Sequence, residues 1–215
     1  MSALAIKALL SYLLGSLIGS LLLGRLRNVD IRSLGSGNAG STNALRTQGK
    51  KFALGVFLID LGKGWLATRV VAGLALPMAD APAGVGAWIP AACGAAAMLG
   101  HVYPLWFGFR GGKAVATLIG AVLGMAPVLV LALVAVWLVV VMLTGFVSLA
   151  SMVAAALLPL GMSWVTAAPR GPAVAFGIFA AALIIFTHRG NIARMRAGRE
   201  NRARRLWLFG RRALR

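Results

Sequence analysis

The fold is decided by residues 114–169, which read AVATLIGAVLGMAPVLVLALVAVWLVVVMLTGFVSLASMVAAALLPLGMSWVTAAP and contain no charged side chain. A membrane-spanning helix needs about 20 apolar residues, so this stretch can hold two or three such helices. Breaks are expected at Gly124 to Pro127, at Thr144 to Ser148, and at Pro159 with Gly161. Only 12% of the chain is charged and 60% is hydrophobic, whereas soluble domains contain about a quarter charged residues. The composition therefore excludes an ordinary soluble domain and a disordered chain, and predicts an all-α polytopic integral membrane protein.

The distribution of cations decides between six and seven spans. Further apolar runs cover residues 4–23, 52–76, 85–107 and 172–187, and ten Arg lie within the last 27 residues. With six spans, the basic loop 25–51 and the Arg-rich end would lie on opposite sides of the membrane. With seven, both are cytoplasmic, which agrees with the positive-inside rule. We therefore predict seven transmembrane helices, some of them short, with the N-terminus outside and the C-terminus cytoplasmic.

The same map predicts one membrane-embedded domain over residues 1–200, an external turn over residues 79–84 and an Arg-rich cytoplasmic tail over residues 201–215. The net charge of +18 is also compatible with a nucleic-acid partner. Because the Arg cluster directly follows an apolar run, we assign it to the membrane boundary, where it attracts anionic lipid headgroups, and predict no nucleic acid. The chain has one Cys, two His and four acids, so no metal or other cofactor is expected.

The first motif is residues 35–46, GSGNAGSTNALR. Its three Gly let the backbone turn sharply and approach a ligand closely, and backbone N–H groups in such a loop bind anions. Arg46 adds a permanently charged, planar group suited to phosphate. The alternative is a flexible polar linker that caps a helix. Since Gly/Ser linkers rarely carry two Asn, a Thr and an Arg, the motif favours phosphate or substrate binding.

The second motif is residues 108–117, GFRGGKAVAT, which places Gly111, Gly112 and Lys113 where an apolar helix begins. The N-terminus of a helix suits phosphate. The spacing differs from that of a P-loop and no strand precedes it, so we exclude a nucleotide hydrolase. A basic signal at the membrane edge is the alternative, and this motif alone does not separate the two.

The third motif is residues 188–194, HRGNIAR, in which His188 and Asn191 share one face of a helix. Glu200 follows among ten Arg, and we favour a structural ion-pair partner that orders the tail over a catalytic role. Asp60 and Lys63 lie three residues apart within the second span, where charges face the bundle interior. We expect them to neutralise each other, and a substrate role for Lys63 is the less favoured alternative.

His101 is compatible with three roles: a base, a ligand or a satisfied histidine near the membrane boundary. A Ser-His-Asp triad lacks a suitable acid. The chain is thus rich in anion-binding groups and poor in conventional bases, which suits phosphate substrates and an electrophile that is already activated.

Taken in order, the stretches GSGNAGSTNALRTQGKK, DLGKG, GHVYPLWFGFRGGKAVAT, GFVSLAS and HRGNIARMRAGRE resemble the bacterial acyl-phosphate:glycerol-3-phosphate acyltransferase family (PlsY). The resemblance covers almost the whole chain apart from the Arg-rich end. It implies a bacterial cytoplasmic (inner) membrane protein whose active site faces the cytoplasm. The implied reaction transfers a fatty acyl group from acyl phosphate to the 1-hydroxyl of sn-glycerol 3-phosphate and gives lysophosphatidic acid and phosphate for phospholipid synthesis. The implied partners are glycerol 3-phosphate, a long-chain acyl phosphate and membrane lipids, and we expect a monomer.

The resemblance also implies roles for individual residues. Lys113, His188 and Arg46 are expected to be catalytic, and Glu200 is expected to be structural. The expected substrate-binding residues are Ser36, Asn38, Thr42, Asn43, Gly111, Gly112, Thr117, Ser148 and Asn191. The expected structural role of Asp60 and Lys63 rests on their spacing within the second span. The chain departs from the family at Ala114, where members usually have Gly, and at Arg110, where they usually have Lys. The H-x-x-x-x-D signature of acyl-thioester-dependent enzymes is absent.

The proton of the attacking hydroxyl has two possible acceptors, His188 and an oxygen of the donor's own phosphate. The scarcity of acids favours the phosphate. Lys113 and Arg46 would offset the repulsion between two phosphates, while positioning lowers the barrier further. The alternative functions are a transporter for a small phosphate ester and an accessory protein that binds anionic lipid. The first is disfavoured because the polar motifs lie on one membrane face, and the second leaves both Gly-rich motifs unexplained.

Overall fold

The computed structural model describes residues 2–76 and 84–209, and these residues contain no β-strand. They form ten α-helices: α1 (Ala3–Gly15), α2 (Gly19–Arg25), α3 (Ser41–Gln48), α4 (Lys50–Trp65), α5 (Ile89–Val102), α6 (Val115–Met125), α7 (Pro127–Thr144), α8 (Val147–Val165), α9 (Gly171–Thr187) and α10 (Arg189–Arg196). The all-α prediction is confirmed. Most of the turn predicted outside, residues 79–83, and residues 210–215 of the Arg-rich tail lie outside the described residues.

Three of the described helical segments are long and apolar enough to cross a membrane: Val85–Phe107, which contains α5, together with α7 and α8. The number rises to five if two bent pairs each count as one span, namely α1 with α2, bent by 48°, and α9 with α10, bent by 52°. The helix α6 is apolar but has only 11 residues. The uncharged stretch thus holds three helices, with breaks at Ala126 and at Gly145–Phe146 as expected.

The break expected at Pro159 does not occur, because α8 continues through this residue to Val165. Proline inside a helix removes one hydrogen bond and crowds the preceding turn, so the helix needs support from outside. Gly177 of α9 lies against the backbone of Pro159, where an added Cβ would come within 2.9 Å of the Pro159 Cα. Inside a membrane the hydrophobic effect does not drive helices together, and close packing at small residues stabilises their contact instead.

The chain divides into two compact units, residues 1–127 and 128–215, and each is described by itself. In the first unit, α1 packs on α5 and α4 packs on α6. The contact between α4 and α6 depends on Gly64, which lies against the Thr117 carbonyl, and on Gly120, which lies against the Leu61 carbonyl. A side chain at either position would overlap backbone, so the two helices approach at their closest here. In the second unit, α8 packs on α9.

Candidate active site

The first motif is held in shape by the side chain of Asn43, which is only 1% exposed. Its Nδ2 donates hydrogen bonds to the carbonyls of Ile31, at 3.2 Å, and Leu34, at 2.9 Å. Its Oδ1 accepts from the backbone N–H of Ser36 at 2.9 Å. Gly35 has a φ of +58° and lies against Asn43 Oδ1, where a Cβ would overlap it. Both amide donors are therefore used by the loop, and Asn43 acts on the loop's geometry.

The other candidate residues of the first motif are more accessible. Ser36, Thr42 and Arg46 are exposed and Asn38 is half-buried. The loop is fixed at Ala39, which is buried and whose carbonyl accepts a hydrogen bond from Ser20 Oγ at 3.0 Å. The motif thus presents polar side chains and one guanidinium from a loop whose backbone is held by hydrogen bonds at Ser36 and at Ala39.

The second motif folds back against the end of α5. The backbone N–H of Gly111 donates to the Val102 carbonyl, and that of Gly112 donates to the His101 carbonyl, both at 3.1 Å. A Cβ on Gly111 would overlap the His101 carbonyl, and one on Gly112 would overlap the His101 ring and lie 3.3 Å from the Ala39 carbonyl. These two glycines are thus required by close contact, and the first and second motifs lie side by side.

Lys113 follows these glycines and is half-buried. Ala114 comes next, is fully buried and has a φ of +61°. An L-residue other than Gly rarely adopts this left-handed conformation. The chain adopts it at an Ala, and α6 begins directly after it.

A buried polar network lies behind the second motif. Lys63 Nζ lies 3.0 Å from Asp60 Oδ1 and donates to the Leu17 carbonyl at 2.9 Å. The backbone N–H of Gly19 donates to the same carboxylate oxygen at 3.1 Å. His101 Nδ1 lies 3.5 Å from that oxygen. The expected contact between Asp60 and Lys63 is therefore present, and it extends to the histidine that supports Gly112.

Thr117, predicted to bind substrate, is fully buried, and its Oγ1 lies 3.2 Å from His101 Nδ1. The structure thus joins Thr117 to the network around Asp60. Of the three roles considered for His101, its surroundings match the satisfied histidine, because both Thr117 and Asp60 lie at one ring nitrogen and the ring packs on Gly112.

Sequence reasoning missed Arg32. Its guanidinium pairs with Asp30 at 2.8 Å and its Nη1 donates to the carbonyls of Phe107 and Arg110, both at 3.1 Å. It therefore links the segment before the first motif to the second. The hydrogen bonds from Arg32 hold the pKa of Asp30 below its ordinary value. The D-x-R spacing in a loop otherwise rich in cations was the signal that could have identified it.

In the second unit, the carboxylate of Glu200 gathers three side chains. Its Oε1 accepts from Ser148 Oγ at 3.0 Å and from Asn191 Nδ2 at 2.6 Å, and its Oε2 accepts from Arg194 Nε at 2.7 Å. Burial raises the pKa of Glu200, but the hydrogen bonds from Asn191, Arg194 and Ser148 outweigh that effect, so the pKa lies below its ordinary value. Two predicted substrate contacts, Ser148 and Asn191, are thus held by the predicted structural acid.

His188 lies at the bend between α9 and α10 and is buried. Its Nδ1 lies 2.8 Å from the Ile184 carbonyl. Because a carbonyl only accepts, Nδ1 carries the hydrogen, and a neutral ring then keeps its lone pair on Nε2. This is the tautomer that can accept a proton at Nε2. Among the described residues, no group of three or more His, Cys, Asp or Glu is placed to hold a metal ion.

Comparison with known proteins agrees with this arrangement. Residues 5–198 match the family model described as glycerol-3-phosphate acyltransferase. A glycerol-3-phosphate acyltransferase of Synechococcus sp. (strain CC9902) is 41% identical over 94% of this chain and 96% of its own length. The enzyme of the same name from Gloeobacter violaceus is 45% identical over 88% of this chain and 90% of its own length.

The fold also matches a solved structure. The crystal structure of PlsY, an integral membrane glycerol 3-phosphate acyltransferase, in its glycerol 3-phosphate form has a TM-score of 0.81 and 36% sequence identity to this chain. The match covers 94% of this chain and 96% of that one. By sequence over almost its whole length and by fold, this chain belongs to the glycerol-3-phosphate acyltransferase family.

Proposed function

We propose that this membrane protein transfers a fatty acyl group from acyl phosphate to the 1-hydroxyl of sn-glycerol 3-phosphate and releases phosphate. Acyl transfer to glycerol 3-phosphate, which gives lysophosphatidic acid, follows from membership of the family. Solved PlsY structures in the glycerol 3-phosphate and lysophosphatidic acid forms support the same substrate and product. The acyl-phosphate donor is the proposed part, and a cofactor has no role in this reaction.

The observation that carries the proposal is the close pairing of the first and second motifs, where a Cβ on Gly112 would meet both the His101 ring and the Ala39 carbonyl. Two Gly-rich loops held this close can direct the polar and charged side chains that they carry towards one phosphate. In our proposal Lys113 and Arg46 supply the positive charge, and Ser36, Asn38 and Thr42 supply hydrogen bonds.

We propose that Ser148, His188 and Asn191 contact substrate as well. Ser148 and Asn191 each donate to Glu200, which fixes their orientation. An acyl phosphate is a mixed anhydride with a good leaving group, so holding the hydroxyl against its carbonyl supplies much of the catalysis, up to about 7–11 kcal/mol for ideal alignment. Stabilising the developing negative charge by Lys113 adds to this.

For the proton, we favour an oxygen of the donor phosphate over His188. The chain has four acids in all. Of these, Asp60, Asp30 and Glu200 are paired with Lys63, Arg32 and Arg194 respectively. The tautomer of His188 keeps it as the second candidate, and the two are separated by the variant described in the Discussion.

The proposed topology has seven transmembrane helices, an outside N-terminus and a cytoplasmic C-terminus, in the bacterial inner membrane. It places the motifs on the cytoplasmic side, where glycerol 3-phosphate is dissolved, while the long acyl chain of the donor lies among the apolar helices. We further propose that one domain over residues 1–200 acts as a monomer. Reporter fusions after Leu76 and after Arg215 would test the map, and it requires opposite sides for the two.

The test of the function is a donor comparison. The purified protein is incubated in detergent with radiolabelled glycerol 3-phosphate and either palmitoyl phosphate or palmitoyl-CoA. Labelled lysophosphatidic acid from palmitoyl phosphate alone is the expected result. Product from palmitoyl-CoA alone would contradict the proposed donor. Absence of product from both, in a sample that still binds glycerol 3-phosphate, would favour the transporter and a flux assay in liposomes.

A further inference from the structure

Residues 202–209, here called the tail segment, are docked onto the turn between α7 and α8. The backbone N–H of Ala203 donates to the Gly145 carbonyl at 2.8 Å, and Trp207 Nε1 donates to the Leu143 carbonyl at 3.2 Å. Gly145 has a φ of +76°, and a Cβ there would lie 3.1 Å from the Trp207 ring. The tail segment lies beyond residue 198, where the family match ends. It is therefore a hydrogen-bonded feature that lies beyond the match to the family model.

The tail segment combines cations with exposed apolar side chains. The Arg202 guanidinium lies between two rings, 4.6 Å from that of Phe146 and 4.3 Å from that of Trp207. Arg204 and Arg205 are exposed. Leu206, Leu208 and Phe209 are 47%, 53% and 58% exposed. The sequence contains no Asp or Glu after Glu200.

The position of the tail segment at the end of α7 indicates what covers its exposed side chains. The helix α7 is the most apolar of the three single-helix candidate spans, and only 11% of it is buried within the protein. It ends at Thr144, one residue before the Gly145 to which the tail segment is bonded. A segment at the end of a lipid-exposed helix lies at the membrane–water boundary. Trp is enriched at this depth, and Arg beside apolar residues suits the headgroups of acidic lipids.

We propose that the tail segment is a binding surface for acidic phospholipid, which Arg204 and Arg205 select by charge while Leu208 and Phe209 enter the acyl boundary. Arg202, stacked between Phe146 and Trp207, holds the segment in place. The occupant follows from the chemistry of the surface: anionic headgroups match the exposed cations, and acyl chains match the apolar side chains next to them. This inference stands apart from the acyl-transfer reaction and requires only that α7 is in a bilayer.

The test uses the full chain in nanodiscs that contain phosphatidylcholine with a fixed fraction of a brominated lipid, either phosphatidylglycerol or phosphatidylcholine. Bromine quenches nearby tryptophan, and subtracting the signal of Trp207→Phe isolates Trp207. We expect brominated phosphatidylglycerol to quench Trp207 more strongly than brominated phosphatidylcholine at low salt. The difference should fall in about 0.5 M salt, where the screening length shrinks to a few ångströms.

The decisive variant is Arg204→Gln with Arg205→Gln, which leaves the stacked Arg202 intact. Since one cation near an acidic surface is worth roughly fivefold in local binding, removing two should weaken the phosphatidylglycerol preference by about 25-fold. The matched control, Arg69→Gln with Arg170→Gln, removes two charges from elsewhere and should keep it. Both variants should keep acyl transfer, which serves as the check on folding.

Three results would overturn the inference. One is equal quenching of Trp207 in the parent chain by the two brominated lipids. Another is an equal loss of preference in the variant and its control, which would indicate an effect of net charge alone. The last is displacement of the acidic lipid by short RNA at physiological salt, which would assign the surface to nucleic acid.

Discussion

Replacing Lys63 by Met would leave the carboxylate of Asp60 buried without its cation. The lysine is almost fully buried and makes two polar contacts, with Asp60 Oδ1 at 3.0 Å and with the Leu17 carbonyl at 2.9 Å. Removing one partner of a buried ion pair costs about 3–5 kcal/mol. When Asp60 is also changed to Asn, its oxygen can still accept from Gly19 and no charge remains. The remaining cost is then about 1–3 kcal/mol, for the Leu17 carbonyl that loses its donor.

We therefore expect the double variant Asp60→Asn, Lys63→Met to be more stable than Lys63→Met alone by about 2 kcal/mol. The measurement is a double-mutant cycle on unfolding in detergent, with Asp60→Asn as the fourth corner. Strictly additive costs of the two single changes would refute the reasoning, because they would mean that the two side chains do not depend on each other. The double variant should also show a raised KM for glycerol 3-phosphate, since the network supports His101 behind Gly112.

Further predictions concern the loops and the second unit. Gly112→Ala places a Cβ on the His101 ring; a displacement of about 1 Å in a positioning loop is expected to cost roughly 100-fold in kcat/KM, measured with acyl phosphate. Ala114→Gly removes the Cβ from a left-handed residue and should stabilise the protein by about 0.5 kcal/mol after the entropy of Gly is counted, measured by thermal unfolding. Because the pKa of Glu200 lies below its ordinary value of 4.5, its contribution to stability is full above that value and is lost as the pH falls through the lower folded-state pKa. Glu200→Gln should remove this acid-dependent part of Tm. His188→Gln should keep appreciable acyl transfer if the donor phosphate accepts the proton.

Gly112→Ala has a matched control variant, and each of the other predictions has a result that would contradict it. For Gly112→Ala it is Gly62→Ala, since a Cβ at Gly62 meets nothing within 4 Å; equal losses in both would contradict the role of the His101 contact. A lower melting temperature for Ala114→Gly would mean that the left-handed backbone is not the source of strain. An unchanged pH profile in Glu200→Gln would remove that carboxyl as its origin. Complete loss of transfer in His188→Gln, with both substrates still bound, would identify the histidine as the base.

The sequence predicted the all-α class and the three helices within residues 114–169, because both depend on composition and on runs of apolar residues. In a membrane, a segment can satisfy its backbone hydrogen bonds within itself only by forming a helix. The break at Pro159 was predicted from the local effect of proline on a helix. This prediction was wrong, because Gly177 of another helix packs on α8 at that residue. A rule that considers only neighbouring residues cannot predict such a contact.

The candidate site divides in the same way. Residue types suited to phosphate, such as Lys113 and Arg46, can be recognised from their chemistry and their place beside Gly. The function of Asn43 could not be recognised in this way, because its partners are backbone carbonyls whose positions exist only in the folded loop. Arg32 was missed for the same reason, since it binds the carbonyls of Phe107 and Arg110, more than seventy positions away.

The place of Glu200 has a consequence for how the enzyme is delimited. The match to the family model ends at residue 198, yet the carboxylate that accepts hydrogen bonds from Ser148, Asn191 and Arg194 lies two positions later. A protein shortened to residue 198 would keep all three motifs and lose the acceptor of these three side chains. The boundary of the family model therefore falls inside a hydrogen-bonded unit, and proteolysis just before Glu200 would remove its acceptor while leaving α8 and α9 whole.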